Sequence, residues 1–211
     1  MRLCVLYQKV GNRCAFTLKI PGLDVSEDIL LHTLVKKGFE VVDVDMIKTT
    51  RNLTGQSKYR KGALLSKAPS VVDCSGLIKW LYGLRGIWLP RNLFLWQKLG
   101  QGNFEFSTKS RTFPITLEDS VDGDIVFTTD AEAIGGIGHV GLGTGQKTMI
   151  HATNYVGVEE VSFEELMKER LICAIRRLIP VGPPTVTLLL PEKEEIETSD
   201  DIEWLVRRSL K

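Results

Sequence analysis

One stretch constrains this chain more than any other: Ser70-Val71-Val72-Asp73-Cys74-Ser75-Gly76-Leu77-Ile78-Lys79-Trp80-Leu81-Tyr82-Gly83. Leu77, Ile78, Leu81 and Leu84 follow the three-four spacing of an amphipathic helix, which predicts helix from Cys74 onward. Asp73 is the expected cap, and Gly83 or Gly86 the expected stop. Cys74 then falls in the first turn, where unpaired N–H groups and the helix dipole favour negative charge. Such a position lowers a thiol's pKa and makes it a nucleophile. The competing reading is a small residue packed against a sheet, so the rest of the chain has to decide between them.

The surrounding pattern is that of a mixed α+β chain in three parts. Residues 1–45 predict a small ββαβ extension. Two β-prone runs, 3–7 and 14–20, flank Gly11-Asn12, a helix capped by Asp24 or Ser26 follows, and Phe39 to Val44 reads as a strand. Residues 46–180 form the main domain. It opens with a short helix from Met46 to Leu53, has another from Asn92 to Leu99, and reads as loop from 103 to 120. From Gly123 the texture changes to short strands: Asp124–Thr128, His139–Gly143, Thr148–Ala152, Val158–Val161 and Ile172–Ile179, with a helical turn at Glu164–Glu169. The run Pro180-Val181-Gly182-Pro183-Pro184 marks a boundary. The tail, 181–211, combines the apolar run Val186–Leu190 with an acidic segment that reads as a solvated helix or one docked on a partner or on the basic middle.

Charge narrows the partners. Lys plus Arg number 27 and Asp plus Glu 26, so net charge selects no ligand. Between residues 46 and 112, however, basic residues face only Asp73 and Glu105, which favours a carboxylate-rich or phosphate-rich ligand. No aromatic-interleaved basic run accompanies them, so nucleic acid is not an expected partner. Cys4, Cys14, Cys74 and Cys173 show no C-x-x-C spacing and read as reduced thiols. The apolar run Leu3–Tyr7 is shorter than a signal peptide, and no later run approaches membrane-spanning length. The expectation is a soluble, cytoplasmic protein with no membrane partner.

A thiolate nucleophile needs a base and a group that orients the base. His139 and His151 flank the turn Thr144-Gly145-Gln146-Lys147, which predicts a hairpin. If the loop centres on Gly145, facing positions sum to 290 and His139 opposes His151 directly, on one face of the sheet. A one-residue slip would separate them onto opposite faces. His32 lies on the N-terminal helix without ligand spacing and reads as structural. Cys, His and His are also zinc ligands, but no fourth ligand or short-spaced pair is present, so no metal is expected.

In this order and spacing, Asp73-Cys74-Ser75-Gly76-Leu77, Leu89-Pro90-Arg91, Gly123-Asp124-Ile125-Val126-Phe127, His139-Val140-Gly141, Ile150-His151-Ala152 and Ala174-Ile175-Arg176-Arg177 resemble the NlpC-type cell-wall cysteine peptidases. The resemblance covers about residues 46–180. It implies a papain-like α+β core in which the cysteine helix packs on an antiparallel sheet bearing both histidines. It further implies Cys74 as nucleophile, His139 as base and His151 as the polar third member, with Asp73 and Ser75 bordering the substrate pocket. Tyr59 matches the pocket tyrosine that assists the oxyanion. The implied substrate is a peptidoglycan stem peptide cut between D-glutamate and the diamino acid, with no cofactor. Without a signal peptide, such an enzyme reaches the wall by another route.

The chain departs from the family where an aromatic and two glycines usually follow the pocket tyrosine. Here Arg60, Lys61, Gly62 and Ala63 follow, and Thr129 to Gly138 reads as a flexible rim. Two other readings therefore stay open. One is a different amidase or acyltransferase on the same core, including a toxin or phage lysin. The other is a non-catalytic binding protein of the same fold.

Overall fold

A computed structural model describes residues 7–87, 89, 105–106, 110–129, 137–180 and 185–210. Helices and sheets are mixed, and the chain divides into two compact units. One comprises Met1–Val44, Tyr82–Trp88 and Gly182–Lys211; the other comprises Asp45–Leu81 and Leu89–Val181.

The first unit is built on a four-stranded antiparallel sheet. Strands β1 (Tyr7–Val10) and β2 (Arg13–Thr17) form the hairpin expected at Gly11-Asn12. Helix α1 (Glu27–Lys36) starts where Ser26 Oγ accepts the Ile29 N–H, with Glu27 and Asp28 in the first turn where the helix dipole favours acids. Strand β3 (Glu40–Val42) follows, and the tail supplies β13 (Thr185–Leu189), which inserts between β2 and β3. The tail also supplies α5 (Ser199–Ser209). Its acidic composition suggests a solvated helix, yet Ile202, Leu205 and Val206 repeat at helical spacing and are buried in one core with Phe16, Leu30, Leu34 and Leu188. Each fully buried side chain of this kind contributes about 1.5–3 kcal/mol, which outweighs the solvation of the charged face on the other side. The tail is therefore part of the N-terminal fold, which is ββα followed by a strand, completed by residues from the far end of the chain.

The second unit carries α2 (Met46–Arg51), the short parallel pair β4 (Lys58–Tyr59) and β5 (Val71–Val72), and the first turns of α3 (Cys74–Leu84). Its main sheet is antiparallel throughout. The strands are β6 (Glu105–Phe106), β7 (Ser110–Ile115), β8 (Asp122–Thr129), β9 (Ile137–Thr144), β10 (Thr148–Thr153), β11 (Gly157–Ser162) and β12 (Ile172–Pro180), in the order β11-β10-β9-β8-β12-β7-β6. Helix α4 (Phe163–Glu169) buries Phe163 and Leu166 against Val126, Met149 and Ile175. On the opposite face Ile125, Phe127, Val140, Leu142, Ile150 and Ala152 are fully buried. A sheet covered on both sides holds its side chains rigidly, which suits a constellation that needs fixed distances.

One expectation changes here. The stretch read as loop contains β6 and β7, whose polar, proline-containing sequence hides a strand. The partner β12 settles it, with Ile115 opposite Ile175 and Pro114 opposite Arg176. The helix expected at Asn92–Leu99 and most of the rim 129–138 lie outside the described residues. The motif pieces around Asp124 and Arg177 also acquire a reason. Asp124, 1% exposed, receives Arg177 Nε at 2.8 Å and Nη2 at 2.9 Å, locking β8 to β12.

Candidate functional site

Asp73 does cap α3. Its Oδ1 accepts the Gly76 N–H at 2.6 Å and the Ser75 hydroxyl at 3.0 Å, while its carbonyl accepts the Leu77 N–H at 2.9 Å. Its Oδ2 accepts the Gly62 N–H at 2.9 Å, tying the loop after Tyr59 to the helix start. Asp73 and Ser75 are both 6% exposed, so the two residues expected to border substrate are engaged in building the cap. Tyr59 is half-buried in β4, opposite Val72 and therefore two residues from Cys74 across the parallel ladder. That ladder rests on a close approach: a Cβ on Gly157 would stand 2.1 Å from the Ser57 carbonyl oxygen, and Gly157 has φ +84°. Glycine is required there on both counts.

Cys74 occupies the first turn of α3 and is 7% exposed. Helix position favours the thiolate, but burial and the helix cap act in the opposite direction. Burial, and then the Asp73 carboxylate, push the thiol up to about 11, against the opposing pull of the Ser75, Val140 and Cys74 amides. The residue that caps the helix thus places a negative charge beside the sulfur and offsets the dipole. The amide of Val140 facing the sulfur brings Cys74 to β9, next to His139 in the chain.

The histidine hairpin is two residues out of the expected register. Met149 faces Gly143, Ile150 faces Leu142 and His151 faces Gly141, so facing positions sum to 292 rather than 290. Thr144 and Thr148, joined through their hydroxyls, belong to the strands rather than the turn, which leaves Gly145-Gln146-Lys147 as the loop. Lys147, not only a glycine, takes the left-handed conformation at φ 58°. A shift of two preserves the face, so His139 and His151 become diagonal neighbours. His139 Nε2 and His151 Nδ1 lie 2.8 Å apart, with ring centroids separated by 5.0 Å at 74°. Gly141 makes room opposite His151: a Cβ there would meet Met149 Cγ at 2.5 Å and the Ile150 carbonyl at 2.9 Å.

Both rings are 5% exposed and neutral. Burial, followed by His151 and Arg170, pushes His139 down to about 3; burial and then Arg170 push His151 down to about 4. Burial thus favours the uncharged forms of the thiol and of the hydrogen-bonded imidazole pair. Two residues escaped the sequence reading. Arg170, just beyond α4, supplies the nearby positive charge. Glu159 stands directly opposite His151 across β10 and β11. The turn Asn154-Tyr155-Val156-Gly157 carried the signal for Glu159, since pairing about it sets 151 against 159. Among the described residues, no group of three or more His, Cys, Asp or Glu could hold a metal ion, and no helix is long and apolar enough to cross a membrane.

The NlpC/P60 family model matches residues 55–176, more than half of the chain and all of the elements just described from β4 to most of β12. The chain belongs to the NlpC/P60 family. It is 30% identical over 106 residues to the gamma-D-glutamyl-L-lysine dipeptidyl-peptidase of Bacillus subtilis (strain 168), a match covering 50% of this chain and 32% of that protein. This chain therefore spans about a third of that relative's length. Among solved structures, an NlpC/P60 family protein from Bacillus cereus ATCC 10987 is 20% identical with a TM-score of 0.47, covering 65% of this chain and 41% of the other. NlpC2 from Trichomonas vaginalis is 26% identical with a TM-score of 0.48, covering 64% and 48%.

Proposed function

We propose that this NlpC/P60 chain is a cysteine peptidase that cuts γ-D-glutamyl-diamino acid bonds in peptidoglycan stem peptides. The observation that carries the reading is the 2.8 Å histidine pair on β9 and β10, with the Cys74 sulfur against the neighbouring Val140 amide. The papain-like frame over residues 46–180 is supported by a helix-borne cysteine and sheet-borne histidines. The substrate class is supported by family membership and by the activity in the name of the Bacillus subtilis relative.

In this reading the proton passes from Cys74 Sγ to His139 as sulfur attacks the scissile carbonyl, because the resting thiol keeps its proton. The Cys74 amide and the Tyr59 hydroxyl are the donors for the resulting oxyanion. The protonated His139 then gives its proton to the departing amine, leaving a thioester. Water, deprotonated by His139, hydrolyses the thioester and regenerates the thiol. His151 orients His139 throughout. Asp73 and Ser75 hold the rim near the scissile bond through the cap they share with Gly62.

One feature favours a second reading. Arg60 and Lys61, exposed after Tyr59, stand where the family usually has an aromatic and glycine, which suits an anionic acyl donor other than a stem peptide. Mass spectrometry of peptidoglycan fragments after digestion separates the two. The expected result is new termini between D-glutamate and the diamino acid, absent with Cys74→Ser. Intact stem peptides alongside hydrolysed simple amides or esters would transfer the proposal to the second reading.

A further inference from the structure

We infer that Glu159 is a positioning residue that sets the tautomers of the histidine pair, leaving the His139 Nδ1 lone pair for the Cys74 proton. The inference rests on the proposed function for its catalytic meaning, but its geometry stands alone. Glu159 faces His151 directly in the β10–β11 register, so both side chains project from the same face. Glu159 Oε1 lies 3.7 Å from His151 Nε2 and accepts the Thr153 hydroxyl at 2.8 Å, which holds it in place. His151 Nε2 is buried and has no hydrogen-bond partner among the described residues.

The rest follows from proton bookkeeping on neutral rings. A neutral imidazole has one N–H and one lone pair. A lone pair on the buried His151 Nε2 would face the half-exposed Glu159 carboxylate oxygen, which is repulsive, whereas an N–H there is attracted. His151 therefore carries its proton on Nε2, and its Nδ1 is an acceptor. His139 Nε2, 2.8 Å away, must then be the donor. That leaves His139 Nδ1 unprotonated and able to take a proton. The opposite assignment reverses the bond between the rings and puts a hydrogen on His139 Nδ1, which would then be unable to act as the base. Glu159 thus reads through His151 to the reactive nitrogen, two rings away.

The test is NMR of isotope-labelled imidazole nitrogens in the full-length protein, with steady-state kinetics beside it. The expected wild-type spectrum has both His139 and His151 protonated at Nε2. Glu159→Ala should mix the tautomers and lower kcat about tenfold with KM within about twofold, a fraction of the effect of a whole base. Glu159→Gln keeps an acceptor and should fall between the two. A backbone amide spectrum checks that each variant is folded; if Glu159→Ala is not, the wild-type and Gln spectra decide. Protonation of His151 at Nδ1 in the wild type, or unchanged tautomers in a folded Glu159→Ala, would overturn the inference. The tautomer readout needs no turnover. Failure on every stem peptide with these tautomers intact would remove the proposed substrate and leave the role of Glu159 standing.

Discussion

Two polar pairs, one wholly buried and one with a buried carboxylate and a half-buried guanidinium, sit on the same sheet face of the NlpC/P60 unit and are built on opposite principles. Asp124 and Arg177 match charge with charge: the carboxylate takes two guanidinium hydrogen bonds and the Val121 amide at 2.8 Å. His139 and His151, both pushed down by burial, share one hydrogen bond, and His151 Nε2 is buried without one among the described residues. The first arrangement is saturated and can only hold strands together. The second leaves hydrogen-bonding capacity unused in a dry environment, at a cost in stability.

The largest expected effect breaks this comparison from both sides. In the proposed mechanism, His139→Ala removes both acceptance of the thiol proton and donation to the leaving amine. It should lower kcat by about 10²–10⁴-fold while leaving the melting temperature unchanged or higher. Asp124→Ala strips a buried pair and orphans the Val121 amide. It should cost about 2–4 kcal/mol, a melting shift of roughly 5–12 °C for a chain of this size. Its kcat per folded molecule should hold near the wild-type value. A stable but inactive Asp124→Ala, or an unfolded His139→Ala, would erase the distinction; calorimetry and kinetics on the same preparations decide.

The contrast also explains what the sequence could reveal. The strand-and-helix order of 122–180, the cap at Asp73 and the placement of His139 and His151 on one face of a hairpin were legible because each depends on local spacing. The register of the histidine hairpin was legible only in parity, since the chain does not announce that Thr144 and Thr148 are strand residues rather than turn. Non-local facts stayed hidden. The tail strand between β2 and β3, β7 beside β12, and Glu159 beside His151 are fixed by partners far away in sequence or by a second hairpin. The upward push on the thiol stayed hidden for the same reason. Helix position is local and predicts activation, but burial is a property of the whole unit and wins.

A second, smaller effect sharpens the comparison through acid. The histidines are held near 3 and 4 in the folded chain against 6.5 in an exposed one. Below pH 6.5 the unfolded chain binds protons that the native site refuses, so stability is fully present above that value and falls as pH drops. Each histidine contributes a slope of about 1 kcal/mol per pH unit between pH 6 and 5. Arg177, held raised by Asp124, contributes no slope in this range. Urea midpoints from pH 7 to 5 should therefore decline in the wild type and flatten in the double variant His139→Gln, His151→Gln. Equal slopes in both would mean that the pair is solvated or charged in the native state.

The smallest effect concerns which cysteine reacts first. Helix position alone makes Cys74 the preferred target of an alkylating reagent, with Cys173 inert in an apolar strand. The structure reverses both premises: Cys173 is exposed, at the irregularity where β12 meets β8, whereas Cys74 is buried with its thiol held near 11. Alkylation requires thiolate and access together. Limiting iodoacetamide at pH 7 should therefore label Cys173 ahead of Cys74 and leave activity intact, and Cys173→Ser should be as active as the wild type. Raising the pH toward 10 should increase Cys74 labelling more steeply, with activity lost in proportion to it. Peptide mapping of partly labelled protein reads both sites at once. Faster labelling of Cys74 at pH 7, with a rate flat from pH 7 to 9, would mean that the resting site already holds a thiolate beside a charged His139. In that case the saturated and unsaturated pairs would differ in solvent access alone, not in whether charge is present.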